Sequence, residues 1–256
     1  MISKAVYFIL KAGDRALNFL VLLSFIIAVI YGAYSIYDTS RLLNSAGSDK
    51  LQVYSPEQLG EESNGPGFEE LICINDEVIG WISTPETGVN YPLCQTDNNE
   101  KYVNTDALGE FSLSGSIFLD YRNNSNFSDS FNMVYGHHMD KGKMFGDIVK
   151  FTEDDYFTEH KTGELILRNG SRQIIEFFAC MNTTAYDTSF YSRYPLCDSG
   201  DYDYLSNEDW LQYIRNTAVQ YRNTDAGERV IALSTCTNTD NSGRIILLGF
   251  IRGDEN

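Results

Sequence analysis

Residues 230–236 read Val230-Ile-Ala-Leu-Ser-Thr-Cys236, and residues 244–251 read Arg244-Ile-Ile-Leu-Leu-Gly-Phe-Ile251. The short apolar run Arg229–Leu233 ends abruptly in Ser234-Thr-Cys236, whereas Arg244–Ile251 is apolar throughout after its arginine. The stretch between Cys236 and Arg244 is rich in the turn-forming residues Asn, Asp and Gly. The pattern predicts two strands. If they pair as a hairpin, Cys236 and Arg244 stand beside each other at one end of a sheet.

Further short apolar runs precede this pair and are separated by turn signals. They are Ile79–Ser83, Val89–Leu93, Ser116–Leu119, Asn132–Tyr135, Glu164–Leu167 and Gln173–Met181. Since no helical pattern separates each pair of runs, the sequence favours an antiparallel sandwich or barrel over a doubly wound sheet. The predicted fold class is mainly β.

One segment, Ser206–Arg222, departs from the strand pattern. It opens with Ser206 three residues before Asp209, which is close to a capping box. Apolar and aromatic residues then recur at helical spacing, namely Trp210, Tyr213, Ile214, Ala218 and Tyr221. The segment is predicted to be an amphipathic helix inserted between two strands.

The N-terminal segment has a different character from the rest of the chain. No charged residue lies between Arg15 and Asp38, and the run Ala16–Tyr37 is about as long as a helix that crosses hydrocarbon. Basic residues precede this run, so a transmembrane anchor is predicted, with a cytoplasmic N-terminus and with residue 38 onward outside the cell. A cleaved signal peptide and a buried core helix are the alternatives. The run is long and ends in tyrosines, which favours the anchor.

The predicted organisation has three parts. Residues 1–37 form the cytoplasmic N-terminus and anchor, residues 38–67 form a polar stalk with N-terminal helical elements, and residues 68–256 form the β domain. The 256-residue chain has a net charge of −17 and no basic stripe, so nucleic acid is not an expected partner.

Among five scattered cysteines, Cys236 is the candidate nucleophile. It follows an apolar run at the mouth of a turn-rich loop, whereas Cys180 lies inside an apolar run and is expected to be packing. The cysteines show no CxxC pair and no metal-ligand spacing.

A nucleophilic thiol needs a partner that stabilises the thiolate and later supplies a proton, usually a histidine. His137 and His138 follow the run that ends at Tyr135, and at most one of them can face a given thiol, because neighbours on an extended chain point to opposite sides. His160 lies in a polar stretch and is most simply a solvated loop residue. A metal bound by the His pair is disfavoured, since no HExxH motif or carboxylate cluster accompanies it.

Acyl transfer develops an oxyanion, which a fixed donor can stabilise. Arg244 lies eight residues after Cys236, across the loop, and is the candidate for this role. Taken alone, an arginine at the start of a strand is usually a surface residue, so the expected position opposite the thiol carries the prediction.

These residues resemble the sortases, the membrane-anchored cysteine transpeptidases of Gram-positive bacteria. Leu233-Ser-Thr-Cys236 is similar to the TLxTC signature, with Ala232 in place of its first Thr. Tyr135-Gly-His-His-Met139 is similar to the histidine motif, in which the catalytic residue directly follows Gly and is therefore His137. The helix inserted between strands and the extended N-terminal region resemble class B members.

The resemblance implies a closed β-barrel of about eight strands, with N-terminal helices and a long helix inserted between the sixth and seventh strands. It implies that Cys236 attacks the Thr carbonyl of a C-terminal sorting motif in a secreted protein, with His137 as the proton donor and Arg244 at the oxyanion. An amine of the cell-wall peptide or its lipid-linked precursor then accepts the acyl group. Substrate contacts are expected from Leu233, Ser234 and Thr235, and no cofactor or metal is implied.

Two other functions remain open at this point. A hydrolytic cysteine peptidase would use the same three residues and differ only in resolving the acyl enzyme with water. A membrane-tethered binding module without catalysis would leave Cys236 incidental.

Overall fold

The structure, a computed structural model, describes residues 4–45, 49–56, 67–191, 207–236 and 242–253. The chain divides into two compact units, Met1–Asn44 and Ser45–Asn256. The first unit is helical, and the second contains all of the strands described.

The helix of the first unit, α1, runs over Lys4–Ser45 and contains the whole of the predicted apolar segment Ala16–Tyr37. Its portion Tyr7–Ser40 has a mean hydropathy of 2.4 in its most apolar stretch, none of which is buried. At about 1.5 Å per residue the helix exceeds the roughly 30 Å of a bilayer core. Length and composition therefore suit a membrane anchor or a signal sequence.

The second unit is built on a closed barrel with a small additional strand. Its strands are β1 (Val78–Ser83), β2 (Asn90–Cys94), β3 (Ile117–Leu119), β4 (Phe131–Tyr135), β5 (Thr162–Leu167), β6 (Arg172–Thr184), β7 (Gln220–Tyr221), β8 (Val230–Cys236) and β9 (Gly243–Arg252). The order around the barrel is β5-β1-β2-β3-β4-β8-β9-β6, and β5 pairs with β6 to close it. The predicted barrel of about eight strands is confirmed.

Two of the strand pairings are parallel, which corrects the expectation of an antiparallel sheet. β2 pairs with β3 and β4 pairs with β8 in parallel, whereas the other pairs are antiparallel. A parallel pair needs a long crossover connection rather than a tight hairpin, and both pairs have one. The short strand β7, which the sequence did not predict, pairs with β6 at Ala179 and Cys180.

Each of the eight predicted strand runs coincides with a barrel strand to within a few residues at either end. The predicted helix is α6, Asn207–Thr217, which lies between β6 and β8, the sixth and seventh strands of the barrel in chain order. It ends five residues before Arg222, because the chain turns after Thr217 to form β7. The predicted first residue, Ser206, lies outside the described residues.

The described part of the chain also contains four shorter α-helices, α2 (Asp49–Gln52), α3 (Phe68–Ile74), α4 (Asp154–Glu159) and α5 (Thr188–Tyr191), and 3-10 helices at Lys101–Val103, Asp140–Gly142 and Gly146–Thr152. Residues 46–48 and 57–66 of the predicted stalk lie outside the described residues. Phe68 of α3 packs edge-on against Trp81 of β1, with ring centroids 6.2 Å apart. The N-terminal helical elements of this unit therefore include one that covers the barrel directly.

Strand alternation divides the core into an interior layer and an outer layer. Leu233 of β8 and Leu247 of β9 belong to the cluster inside the barrel. Ala232 and Leu248 belong to a second cluster, on the outer face, which also contains residues of α5 and α6. The sheet formed by β4, β8, β9 and β6 is therefore buried on both sides, which explains why its strands are nearly continuous apolar runs.

Trp210 holds α6 onto this outer face. Its side chain is fully buried, packs against Phe131 with ring centroids 5.6 Å apart, and donates from Nε1 to the Phe190 carbonyl at 3.0 Å. Truncation would leave a cavity and an unpaired carbonyl. We expect Trp210→Ala to lower the free energy of unfolding by about 3–5 kcal/mol, measured by chemical denaturation.

Gln212→Ala, on the exposed side of the same helix, is the control and should change stability by no more than about 0.5 kcal/mol. Equal effects of the two substitutions would contradict the assignment of α6 as a cover of the core.

Candidate active site

Three neighbouring strands bring the predicted reacting residues into one row. In the β8–β9 pair, Cys236 lies opposite Arg244. In the parallel β4–β8 pair, Tyr135 lies opposite Ser234, and the next residue, Gly136, donates its N–H to the Ser234 carbonyl at 3.2 Å. Continued by two residues, this register brings His137 alongside Cys236.

The same three positions share one face of the sheet. Positions 133 and 135 of β4, 232 and 234 of β8, and 246 and 248 of β9 alternate with residues that face the barrel interior. Because side chains alternate with a period of two, positions 137, 236 and 244 belong to the outer set. With adjacent strands about 4.8 Å apart, the row spans roughly 10 Å of backbone.

The His137 imidazole is oriented by a backbone carbonyl. Its Nε2 lies 3.0 Å from the carbonyl oxygen of Val103. A carbonyl oxygen can only accept, so Nε2 carries a hydrogen and donates it. Nδ1 is therefore the ring atom left for proton exchange with a neighbouring group.

Close packing behind the histidine requires Gly136. A Cβ at this position would lie 2.5 Å from the side chain of Ile117 and 2.7 Å from that of Phe145. The Phe145 N–H also donates to the His137 carbonyl at 2.9 Å. The backbone that carries the imidazole is thus held from two directions.

The other two histidines occupy different settings. His138 pairs with Met144 in an isolated bridge, and its Nδ1 is buried with no hydrogen-bond partner in the described part of the chain. His160 donates from Nδ1 to the Tyr156 carbonyl at 2.9 Å and stacks on the Tyr156 ring at 3.9 Å. The expectation that His160 is a solvated loop residue is therefore wrong: it is half-buried at the end of α4.

A cavity of about 340 Å³ opens beside the row. Its lining residues are Asn99, Val103, Phe118, Tyr135, Gly136, His137, Ser234, Thr235 and Arg244. Four of the six predicted site residues are in this set. Cys236 is described here by its backbone, which continues β8 directly from Thr235.

Leu233 is placed elsewhere. It is fully buried in the cluster inside the barrel. Since Ser234 lies on the outer side, its neighbour must face inward, so the expected contact of Leu233 with substrate is corrected to a core role.

Thr235 is a cavity-lining residue whose hydroxyl is buried. It is 1% exposed, and its Oγ1 has no hydrogen-bond partner among the described residues. Buried hydroxyls are usually hydrogen-bonded. Because Thr235 alternates with outward-facing Ser234, its side chain belongs to the inner set, and the residue borders the cavity where β8 ends.

Arg244 is half-buried at the start of β9. Its Nη1 donates to the Gly243 carbonyl at 2.8 Å, which restrains one side of the guanidinium. Arginine remains charged at all physiological pH values. The row thus places a permanent cation next to the position of the cysteine.

Sequence reasoning missed most of the opposite wall. Asn99 and Val103 belong to the connection between β2 and β3, which carries no motif that marks a site. Tyr135 and Gly136 could have been predicted as site residues, since they directly precede His137. Across the described residues, no three His, Cys, Asp or Glu side chains cluster as metal ligands.

Comparison with known proteins shows that this chain is similar to class B sortases. Sortase B of Listeria monocytogenes is 32% identical over 212 residues, which cover 78% of this chain and 81% of that protein. Sortase B of Staphylococcus aureus is 29% identical over 243 residues, covering 93% and 97%. A solved Streptococcus pyogenes class B sortase involved in pilus biogenesis aligns with a TM-score of 0.65 and 37% identity, over 72% of this chain and 97% of that one. No family model matches the chain.

The described thiols should differ sharply in reactivity. Burial raises the pKa of Cys94 and that of Cys180 to about 12 from an ordinary value of 9.0. Their thiolates should be about a thousandfold scarcer near neutral pH, and the thiolate is the reactive form. We expect iodoacetamide to leave both unmodified in the native protein, as read by peptide mass spectrometry.

Cys73 is a free and exposed thiol on α3 and serves as the internal control for labelling. Labelling of Cys180 as fast as that of Cys73 would contradict its place in the packed core. Both buried thiols should react once the protein is unfolded in guanidinium.

Proposed function

The chain belongs to the sortase B family of cysteine transpeptidases, and we propose that it cleaves the C-terminal sorting motif of secreted proteins after Thr and transfers the acyl group to an amine of the cell-wall peptide precursor. The observation that carries this proposal is the row of His137, Cys236 and Arg244 across three adjacent strands, beside a cavity. Each residue has a distinct part in the reaction.

In the first step the Cys236 thiolate attacks the carbonyl carbon of the motif's Thr. The carbon–sulfur bond forms, the carbon–nitrogen bond to the next residue breaks, and a thioester remains on the enzyme. The departing amine takes a proton from His137. Nδ1 suits this transfer because Nε2 is already engaged by the Val103 carbonyl.

In the second step the accepting amine attacks the thioester carbonyl. His137, now neutral, removes a proton from that amine through Nδ1, and the Cys236 thiolate leaves. The cycle returns both residues to their starting protonation states. It needs no oxidant, reductant or cofactor.

Both steps place negative charge on the carbonyl oxygen in the transition state. Arg244 supplies the compensating cation. Ser234 and Thr235 form the part of the groove wall nearest the cysteine. These contacts would hold the substrate carbonyl in the orientation that attack requires.

We also propose a membrane arrangement, which the apolar helix α1 and the flanking charges support. Residues 1–37 anchor the enzyme with a cytoplasmic N-terminus, residues 38–67 form a stalk, and residues 68–256 form the extracellular catalytic domain. Basic residues on the N-terminal flank of the apolar segment support this direction. The domain would then lie on the side of the membrane where secreted proteins and cell-wall precursors meet.

The full chain in detergent, assayed against internally quenched sorting-type peptides, tests the reaction. We expect cleavage after Thr, an enzyme adduct with the mass of the acylating fragment, and faster turnover when a peptide amine is added, with that amine in the product. Cys236→Ala should abolish both cleavage and adduct.

Cleavage that is insensitive to the amine, with only hydrolysed product, would replace the proposal with a hydrolytic peptidase. Cleavage by Cys236→Ala at the wild-type rate would remove the cysteine from the mechanism altogether.

The neighbouring histidines provide a matched pair of variants. We expect His137→Ala to lower kcat/KM by roughly 10²–10⁴, as loss of a general acid and base does. His138→Ala should cost less than about tenfold, because its side chain faces away from the row. Steady-state peptide kinetics measure both, and equal losses would contradict the assignment of His137.

A further inference from the structure

A buried carboxylate that takes no part in the reaction lies behind the cavity wall. Asp120 directly follows β3 and is 0% exposed. Isolated buried charges are strongly unfavourable unless they are paired and hydrogen-bonded. The residues that pair with this carboxylate and donate hydrogen bonds to it therefore indicate its role.

Arg122 supplies the compensating charge. Its Nε donates to Oδ1 of Asp120 at 2.8 Å, and its Nη2 donates to Oδ2 at 2.7 Å. This two-point arrangement is the strongest geometry for an arginine–carboxylate pair. Burial alone would raise the pKa of Asp120, but the bonds from Arg122 outweigh it and lower that pKa, so the carboxylate is ionised at neutral pH.

Oδ2 of Asp120 also accepts hydrogen bonds from two residues of the cavity lining. The Asn99 Nδ2 donates at 2.9 Å, and the Tyr135 hydroxyl donates at 3.0 Å. The other end of the Asn99 amide accepts from the N–H of Tyr121 at 3.0 Å. One carboxylate oxygen thus fixes the orientation of both wall residues.

Each of these two wall residues belongs to a segment that holds His137. Tyr135 lies two positions before it on β4 and on the same face of the sheet. Asn99 lies just before the 3-10 turn Lys101–Val103, and the carbonyl of Val103 accepts the Nε2–H of His137. The carboxylate thereby ties together the two segments that hold the imidazole.

We propose that Asp120 is a positioning residue for the transpeptidation reaction, and that it acts through Asn99 and Tyr135 to hold His137 in place. The inference rests on the proposed role of His137. Asp120 touches neither the substrate nor the reacting atoms. Its effect is to keep the ring in the orientation that leaves Nδ1 facing the site.

Asp120→Asn is the informative substitution because it preserves shape and removes one acceptor. An amide has one oxygen and one NH2 group. If the NH2 group replaces Oδ1, it meets the donors of Arg122. If it replaces Oδ2, it meets the Asn99 donor, so the network is broken in either orientation.

We expect Asp120→Asn in the full chain to lower kcat/KM for peptide cleavage by about 10- to 100-fold, mostly through kcat, as for a misplacement of about 1 Å in a reacting group. A second readout is spectroscopic. In the substrate-free enzyme at alkaline pH, where the imidazole is neutral, the ¹⁵N shifts of the His137 ring, assigned by difference from His137→Ala, should report mainly the Nε2–H tautomer. In Asp120→Asn they should report a mixture.

Glu176→Gln is the matched control. Glu176 accepts from both Nε and Nη2 of Arg252, and it pairs with Phe250, roughly 20 Å along β9 from Arg244. It removes an arginine–carboxylate pair from the same barrel, one whose carboxylate side chain is 34% exposed whereas that of Asp120 is fully buried. Wild-type kinetics and an unchanged His137 spectrum are expected for it.

Wild-type kinetics in Asp120→Asn, or a loss matched by Glu176→Gln, would overturn the proposal. An unchanged His137 tautomer in Asp120→Asn would also overturn it, because lost stability alone does not act through the ring. If Asp120→Asn does not fold, Asn99→Ala and Tyr135→Phe remove each connection singly while leaving Arg122 paired. The ring spectrum of the free enzyme must then change in at least one of them for the proposal to stand.

These results are separable from the proposed function. If wild type fails to form an acyl adduct on Cys236, the proposed function fails whatever Asp120→Asn does. If wild type acylates and His137→Ala does not, while Asp120→Asn behaves as wild type, only the positioning role is lost.

Discussion

The pairing of β8 with β4 on one side and with β9 on the other is the constraint on which the site depends. These two ladders place positions 137, 236 and 244 in one row and on one face. A slip of one residue in β8 would move position 236 to the barrel interior, since alternate residues face opposite sides. The unequal sizes of Ala232 and Leu233, each fully buried in a different core layer, oppose such a slip, because exchanging them would leave a cavity in the barrel interior and overfill the outer layer.

Charge is arranged around the row so that buried groups do not oppose its chemistry. A lone carboxylate near the site would disfavour both a cysteine thiolate and an oxyanion, because like charges repel. The pair of Asp120 with Arg122 is neutral overall, which allows an acidic side chain to orient the wall without adding net negative charge. This balance matters in a chain with 36 acidic residues against 19 Lys and Arg.

The features that could be predicted are those that depend on residues close together in the sequence. Apolar runs bounded by turn residues located all eight barrel strands. The spacing from Cys236 to Arg244 was enough to predict that β8 pairs with β9. The parallel pairings were not predictable, because the contact between β4 and β8 joins segments nearly a hundred residues apart. Asn99 was missed for the same reason: its place at the site depends on a carboxylate in another loop. Leu233 was predicted to contact substrate because it is close to Cys236 in the sequence. Neighbouring residues of a strand point to opposite faces of the sheet, however, and Leu233 faces the barrel interior.

The position of the reacting groups at strand ends has a chemical reason. Within the strands, burial raises the thiol pKa to about 12, as it does for Cys94 and Cys180. A nucleophile placed there would remain a thiol. Where the ladder ends, backbone pairing still fixes the position of a residue while its side chain gains access to a cavity. Cys236 ends β8, His137 lies just past β4, and Arg244 lies at the start of β9, so each backbone is fixed at the end of a ladder, and the His137 and Arg244 side chains line the cavity.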